Sequence, residues 1–406
     1  MNRYDTFSRA AVWLLLLAAA AIPATLVWDF SWESTVGIDL VWAPAHLGTY
    51  LAVALAGLLA VGMVFANTLD PVGRSTGVEL GPWRAPLGAW AIAWGALAFA
   101  GAMLFDRWWR GAYGLAAGIW HPPQILKAVA FFAVLLGVWL ACLSPQNRFP
   151  RAGAFALTFS VAAGLVLALI TVVTLVSIYP NRQHAAWFYK LACATYPIVL
   201  VAVAKAGKLP FAATFASLAY MAVLCLMVWL LPLYPARPQV APIYNPLDHM
   251  MPPPFPLLLI LPAVALDALF GKWPARLRGR SPIPKLSRQE PSLKVFNSKF
   301  AIFNSLRLQG WFQAGAAGLA FFIIFLGAQW AFSEFLLTGL ADNWFFAGGG
   351  EHWPFFLKID PQARQIFWQA KDDPMNFTNT VVSTALAVLA ARIGLWLGAS
   401  MQRLRR

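Results

Sequence analysis

Residues 153–177 read GAFALTFSVAAGLVLALITVVTLVS, a run without a charge or a proline. At about 1.5 Å per residue such a helix is about 37 Å long, enough for a hydrocarbon core of about 30 Å. Nine further apolar runs surround it, at 11–28, 46–66, 86–105, 125–143, 187–205, 209–233, 253–270, 311–335 and 377–397. The 406-residue chain is 60% hydrophobic and 11% charged, against roughly 25% charged in soluble domains. The reading is an all-α polytopic membrane protein with about ten transmembrane helices, since only helices satisfy their own backbone in lipid. The run at 253–270 is short and Pro-rich, and the last contains Arg392. The first run follows Arg3 and Arg9 but lacks a small-residue cleavage site, so it is read as a retained helix and not a signal peptide.

Basic residues set the orientation. The N-terminus, the even-numbered connections and the C-terminus hold 20 of the 30 Lys and Arg residues, and the odd-numbered connections hold seven. The positive-inside bias puts both termini in the cytoplasm, in a cytoplasmic (inner) membrane. The chain divides into a four-helix unit (1–150), four further helices (151–270), a basic cytoplasmic loop (271–310) and two C-terminal helices with a long aromatic outer loop (311–406). Nine basic residues lie in 271–310, which suits contact with anionic lipid headgroups. No aromatic-basic fold accompanies them, so nucleic acid is not the expected partner of the +14 chain. Cys142, Cys193 and Cys225 all fall inside apolar runs and read as packing residues.

All five histidines fall in the odd-numbered, outer connections or at their borders. The richest stretch is 28–46, WDFSWESTVGIDLVWAPAH, with Asp29, Glu33, Asp39 and His46 and no Lys or Arg. Asp29 and Glu33 are four apart, on one helix face, and two desolvated carboxylates need a cation, a proton or water. A short turn would bring His46 back beside them. Two carboxylates and an imidazole suit Fe, Mn or Zn, with copper also served by the imidazole; a water-linked polar loop is the competing reading. Secondary candidates are His121, the pair Asp248 and His249 followed by Met250 and Met251, and the pair Glu351 and His352. His184 reads as an interface cap. No GxSxG, HExxH or P-loop pattern occurs.

The stretch has an echo at 105–124, FDRWWRGAYGLAAGIWHPPQ. Asp29 aligns with Asp106, Trp32 with Trp109, Gly37 with Gly114, Trp42 with Trp120, Pro44 with Pro122 and His46 with Gln124. Helices one to four therefore read as a duplicated helix–loop–helix unit. Glu33 becomes Arg110 and His46 becomes Gln124 in the second copy, which reads as scaffold.

The first copy resembles the copper-site motif D-x-x-W-H-x5-D-x4-P-x-H of the C subunit of particulate methane monooxygenase and ammonia monooxygenase. Asp29, Trp32, Asp39, Pro44 and His46 agree, and Glu33 stands where the family has a histidine ligand. The resemblance implies a metal held by Asp29 and His46 with Glu33 at the third ligand position. The metal would be copper by resemblance, or Fe, Mn or Zn given the carboxylate. It further implies oxidation of a small substrate by dioxygen on the extracytoplasmic face, together with other membrane subunits. A non-catalytic subunit of a larger complex is the alternative. A transporter is a third, prompted by Lys127, Lys190 and Arg392 within spans.

Overall fold

A computed structural model describes residues 3–37, 41–69, 77–114, 120–149, 153–174, 180–240, 247–270, 295–347 and 373–404. Helices α1 (Arg3–Thr35), α2 (Pro44–Leu69), α3 (Leu87–Tyr113), α4 (Pro122–Arg148), α5 (Gly153–Val173), α6 (Ala186–Ala206), α7 (Ala212–Leu230), α8 (Ile260–Phe270), α9 (Val295–Leu336) and α10 (Phe377–Arg403) make an all-α bundle. Among the described residues, nine helices are long and apolar enough to cross a membrane; α8 is too short. Leu47, Leu51, Leu55, Leu58, Val61 and Phe65 form an exposed apolar stripe along α2. A face of this kind is stable against lipid and not against water. The helix with most of its length buried is α5, packed against α1, α4, α6 and α7. Outside the helices, strands β1 (Val78–Leu80) and β2 (Trp83–Ala85) form an antiparallel hairpin between α2 and α3, with Gly81 at φ +59° in its turn.

Small residues let the helices approach. A Cβ on Gly88 would stand 2.6 Å from Gly137 O, and one on Gly137 would stand 2.8 Å from Gly88 O, so α3 and α4 touch backbone to backbone. Gly394 and Gly398 of α10 lie likewise against Pro197–Ile198 and Ala202–Lys205 of α6. Membrane helices lack a hydrophobic drive to associate, so such close packing carries the interface.

Three expectations are corrected. The eighth apolar run is helical only in its second part. Residues 250–259 are extended and largely buried, and only Ile260–Phe270 is helical. The segment runs antiparallel to α7: Met250 N bonds Tyr234 O, Leu257 N bonds the Tyr220 hydroxyl, Ser217 Oγ bonds Leu259 O, and Asp267 bonds Ala213 and Thr214. Ten extended residues at about 3.1 Å each already cover about 30 Å. Secondly, α9 starts at Val295, so 295–310 is the beginning of a helix and not a loop. Thirdly, α3 runs on to Tyr113, which puts Asp106 and Arg110 on a helix and not in the connection.

Unpaired amides in a lipid-surrounded core cost several kcal/mol each. In 250–259 the difficulty is met in two ways. Pro252, Pro253, Pro254 and Pro256 have no N–H to satisfy. Met251, Leu257 and Leu258 donate to side-chain oxygens of Thr35, Tyr220 and Gln329 at 2.9, 2.9 and 3.0 Å. Gln329 is itself fixed by Gln183, to whose Oε1 it donates at 2.6 Å.

The connections sort into two ends. Asn147, near the end of α4, donates to Met401 O at the end of α10, and Gln402 donates to Lys205 O at the end of α6. At the opposite end Asp373, before α10, accepts from Trp187 N of α6, and Gln239 N bonds Val36 O beyond α1. The chain thus starts and finishes at one end of the bundle, and the 28–46 stretch lies at the other.

The Tyr220→Phe variant removes one hydroxyl and leaves Leu257 N–H buried without a partner. A loss of about 1–3 kcal/mol is expected, read as a lower melting temperature of the detergent-solubilised protein; an unchanged value would show that the extended segment does not depend on this bond.

Candidate functional site

Helix α1 ends where Gly37 adopts φ +81°, its N–H directed back at Trp32 O, and α2 begins with Pro44 in its first position. Gly at the stop and Pro at the start suit the unpaired groups of the two termini. The helices converge because Gly48 lies against Thr25; a Cβ there would stand 2.8 Å from the Thr25 methyl. Thr49 Oγ1 donates to Thr25 Oγ1 at 3.0 Å in the same crossing. One turn further along α1, His46 Nε2 stands 3.1 Å from Asp29 Oδ1, with the two side chains about one-fifth exposed. Asp29 Oδ1 is closed to solvent and has no aligned hydrogen-bond donor. The His46 ring stacks on Tyr50 at 6.1 Å, and the Tyr50 hydroxyl donates to Val41 O, which holds the imidazole from its other side.

The structure brings Asp29 and His46 together as the spacing suggested. It does not add Glu33 to them: Glu33 is exposed, and no group of three or more His, Cys, Asp or Glu residues is placed to share an ion among the described residues. Asp39, Glu351 and His352 lie outside the described residues.

The second hairpin repeats the helix stop and the helix start of the first. Gly114 ends α3 at φ +80°, and Pro122 is the first residue of α4. Asp106 occupies the place of Asp29, but its partner is not Gln124. Lys127, one turn later on α4, reaches Asp106 Oδ2 at 2.9 Å, and Arg110 reaches the same oxygen at 3.3 Å. His121 caps α4, stacks on Trp109 and stays out of the pair, its Nδ1 buried without a partner. Lys190, another charge within a span, lies 3.5 Å from Asp373. Two of the three charges that prompted a transport reading are therefore ion-paired.

The remaining candidates separate. Asp248 Oδ1 and His249 Nδ1 are 2.7 Å apart, and the imidazole holds the exposed Asp248 carboxyl below its usual range. Met250 and Met251 are core residues, 3% and 2% exposed, so the four do not converge on one ion. His184 is buried against Trp330, with Ser333 Oγ 3.3 Å from its Nε2. Burial pushes its pKa down, outweighing the opposing pull of Glu334.

A cavity of about 730 Å³ opens beside this end. Trp28 and Trp32 of α1 with Val36 just beyond it form one wall, Met227 and Leu230 of α7 another, and Arg237 and Asp248 supply polar groups. Asp29 is not among its lining residues; on the helix it is turned by about 100° from Trp28. The acid–imidazole pair and the apolar cavity occupy neighbouring faces of α1.

Sequence reasoning missed three acid contacts. Asp267 of α8, 2% exposed, accepts from Ala213 N, Thr214 N and Thr214 Oγ1 at the start of α7. Asp373 does the same for α6 through Trp187 N. Each is an anion at a helix N-terminus supplied by a distant segment. The third, Asp106 with Lys127, has a sequence signal: an acid and a base at matching ends of consecutive apolar runs.

Changing Lys127 to Met should destabilise the protein toward the lower end of about 3–5 kcal/mol, because Arg110 stays near the buried Asp106 carboxylate. The double variant Asp106→Leu/Lys127→Met should lose less than the two single variants combined, as measured by thermal unfolding in detergent. For His184 the sign follows from its lowered pKa: the folded chain binds the proton less well than the unfolded chain. Its contribution is therefore intact above the unfolded pKa of about 6.5 and is lost as pH falls from there through the lower folded value. Melting temperature should drop across that interval in the parent and less in His184→Gln.

No protein-family model matches the chain, and neither the curated proteins nor the solved structures contain a match to it.

Proposed function

We propose that this chain is a metal-binding integral membrane protein whose ion is held at the Asp29–His46 pair. The supporting observation is the state of Asp29 Oδ1: closed to solvent, without an aligned donor, and 3.1 Å from His46 Nε2. A nitrogen and an oxygen about 3 Å apart are spaced as neighbouring donors on one ion whose bonds are about 2.0–2.2 Å. A buried acceptor without a proton donor is costly, and a cation removes that cost. Asp39, between the two helices in sequence, is the candidate third donor, and Glu33 follows Asp29 by one turn. A divalent ion, when bound, supplies Lewis acidity, and copper or iron adds one-electron chemistry. The chain's own part is to orient the imidazole through Tyr50 and to keep Asp29 out of water. The duplicated hairpins, the cytoplasmic placement of the more basic end, the resemblance to the monooxygenase C subunit and association with other membrane subunits belong to the same reading.

The second hairpin favours another reading. There the equivalent acid pairs with Lys127 and Arg110 through Oδ2 and clamps two helices, although its Oδ1 is as buried and unpartnered as that of Asp29. On that pattern Asp29–His46 is a clamp too, and the chain is a structural subunit of a membrane complex.

One variant separates the two. His46→Lys reproduces the chemistry of the second hairpin. On the metal reading, purified wild type carries about one ion per chain by elemental analysis. Asp29→Ala, His46→Ala and His46→Lys lose it, and Glu33→His gains copper. If wild type is metal-free, takes up no Cu, Zn, Fe or Mn, and His46→Lys keeps full thermal stability, the clamp reading stands in its place.

A further inference from the structure

At the end of the bundle away from Asp29, a second cavity of about 450 Å³ lies between α6, α9 and α10. Its lining includes Lys205, Arg392 and Arg403 with the amides of Gln309 and Gln313, and no acid among the described residues. We propose that it binds the phosphate group of an anionic lipid headgroup.

Arg392 carries most of the argument. It lies eleven residues inside the end of α10, in a helix whose other outward residues, Ile393 and Trp396, are exposed and apolar. A cation at such depth is costly and is retained where it has a role. Its guanidinium is directed toward the lipid-water boundary. The backbones of α9 and α10 meet where Gly318 faces Val388, yet the Arg392 Cζ lies beside Gly310. A step of eight residues on α9 is thus matched by four on α10, so the head is displaced by roughly 6 Å toward the end of the bundle. It rests 5.6 Å from the Trp311 ring centroid, which fixes it without neutralising it.

Lys205 is held as firmly. A Cβ on Gly398 would stand 2.8 Å from its Cβ and 3.1 Å from its Cγ, so its stem is packed on α10. Arg403 is exposed at the last turn of α10. Helix-dipole complementarity explains cations in the last turns of α6 and α10; it does not explain Arg392. Gln309 and Gln313, one turn apart on α9, add neutral donors. Three cations and two amides around one concavity match a phosphate with its three or four acceptor oxygens. Basic pockets between helices at a membrane surface take lipid phosphates in this way.

The test uses the full-length protein in a zwitterionic detergent-lipid mixture. Cardiolipin or phosphatidylglycerol should raise the melting temperature, phosphatidylcholine should not, and native mass spectrometry should retain the anionic lipid. Arg392→Gln and, separately, the exposed Arg403→Gln should each weaken the half-saturating lipid concentration about fivefold, as expected for one basic contact. Arg403→Gln lies at a helix end and keeps the test open if Arg392→Gln fails to fold. Inorganic phosphate or pyrophosphate stabilising the protein as well as lipid does, with the same dependence on Arg392 or Arg403, would assign the site to a soluble phosphate and overturn the lipid source. Equal stabilisation of wild type and both variants, or none in wild type, would overturn the site.

Discussion

A backbone surrounded by lipid has no water to bond, and that constraint governs this structure more than any single contact. Nine helices meet it internally. The segment 250–259 cannot, and its sequence shows how it persists. Four prolines remove amides, and Thr35, Tyr220 and Gln329 accept three of those that remain. Each acceptor belongs to a different helix, so the extended segment is a seam that ties α1, α7 and α9 together. Gln329 depends in turn on Gln183, and Phe345 and Phe346 pack over Phe255 at the seam's aromatic cluster. Met250, at the start of this segment, lines the apolar cavity beside α1.

Charge inside the bundle follows a related rule. Asp106, Asp267 and Asp373 are each matched by a cation or by amides at a helix start. None of these partners is local in sequence except Arg110. The acids therefore select tertiary pairings: Asp106 fixes α3 on α4, Asp267 fixes α8 on α7, and Asp373 fixes the approach to α10 on α6. Breaking any of them leaves a charge in a poor solvent, which makes the pairings specific even where their net contribution is small.

Hydropathy made nine of the ten expected spans legible as membrane-length helices among the described residues, because it measures partition into lipid. It does not measure backbone conformation, so the Pro-rich run at 253–270 read as a full helix although only Ile260–Phe270 of it is helical. The motif comparison was legible in a narrower way. Gly37 with Gly114 and Pro44 with Pro122 are helix stops and starts in both hairpins. Such punctuation recurs wherever two helices join, so these four matches carry less about function than about geometry. The Asp29–His46 contact was visible from spacing. Lys127 was not, because residue-by-residue alignment placed Gln124 opposite Asp106 while helix periodicity brings forward a residue one turn later. Asp267 and Asp373 had no local signal at all, since their partners lie 53 and 186 residues away.

What separates the two hairpins is the chemistry of one partner. Lys127 and Arg110 both reach Asp106 Oδ2, while Asp106 Oδ1 is buried without a partner, as Asp29 Oδ1 is. The His46 imidazole nitrogen can donate or accept according to its tautomer, whereas an ammonium only donates. The two hairpins thus set a different base beside the acid of their first helix: Lys127 with Arg110 in one, His46 in the other. Tyr50 stacked on His46 and Gly48 drawing α1 against α2 leave the Asp29 and His46 side chains about one-fifth exposed. A histidine opposite a carboxylate oxygen closed to solvent is the physical ground for testing an ion there.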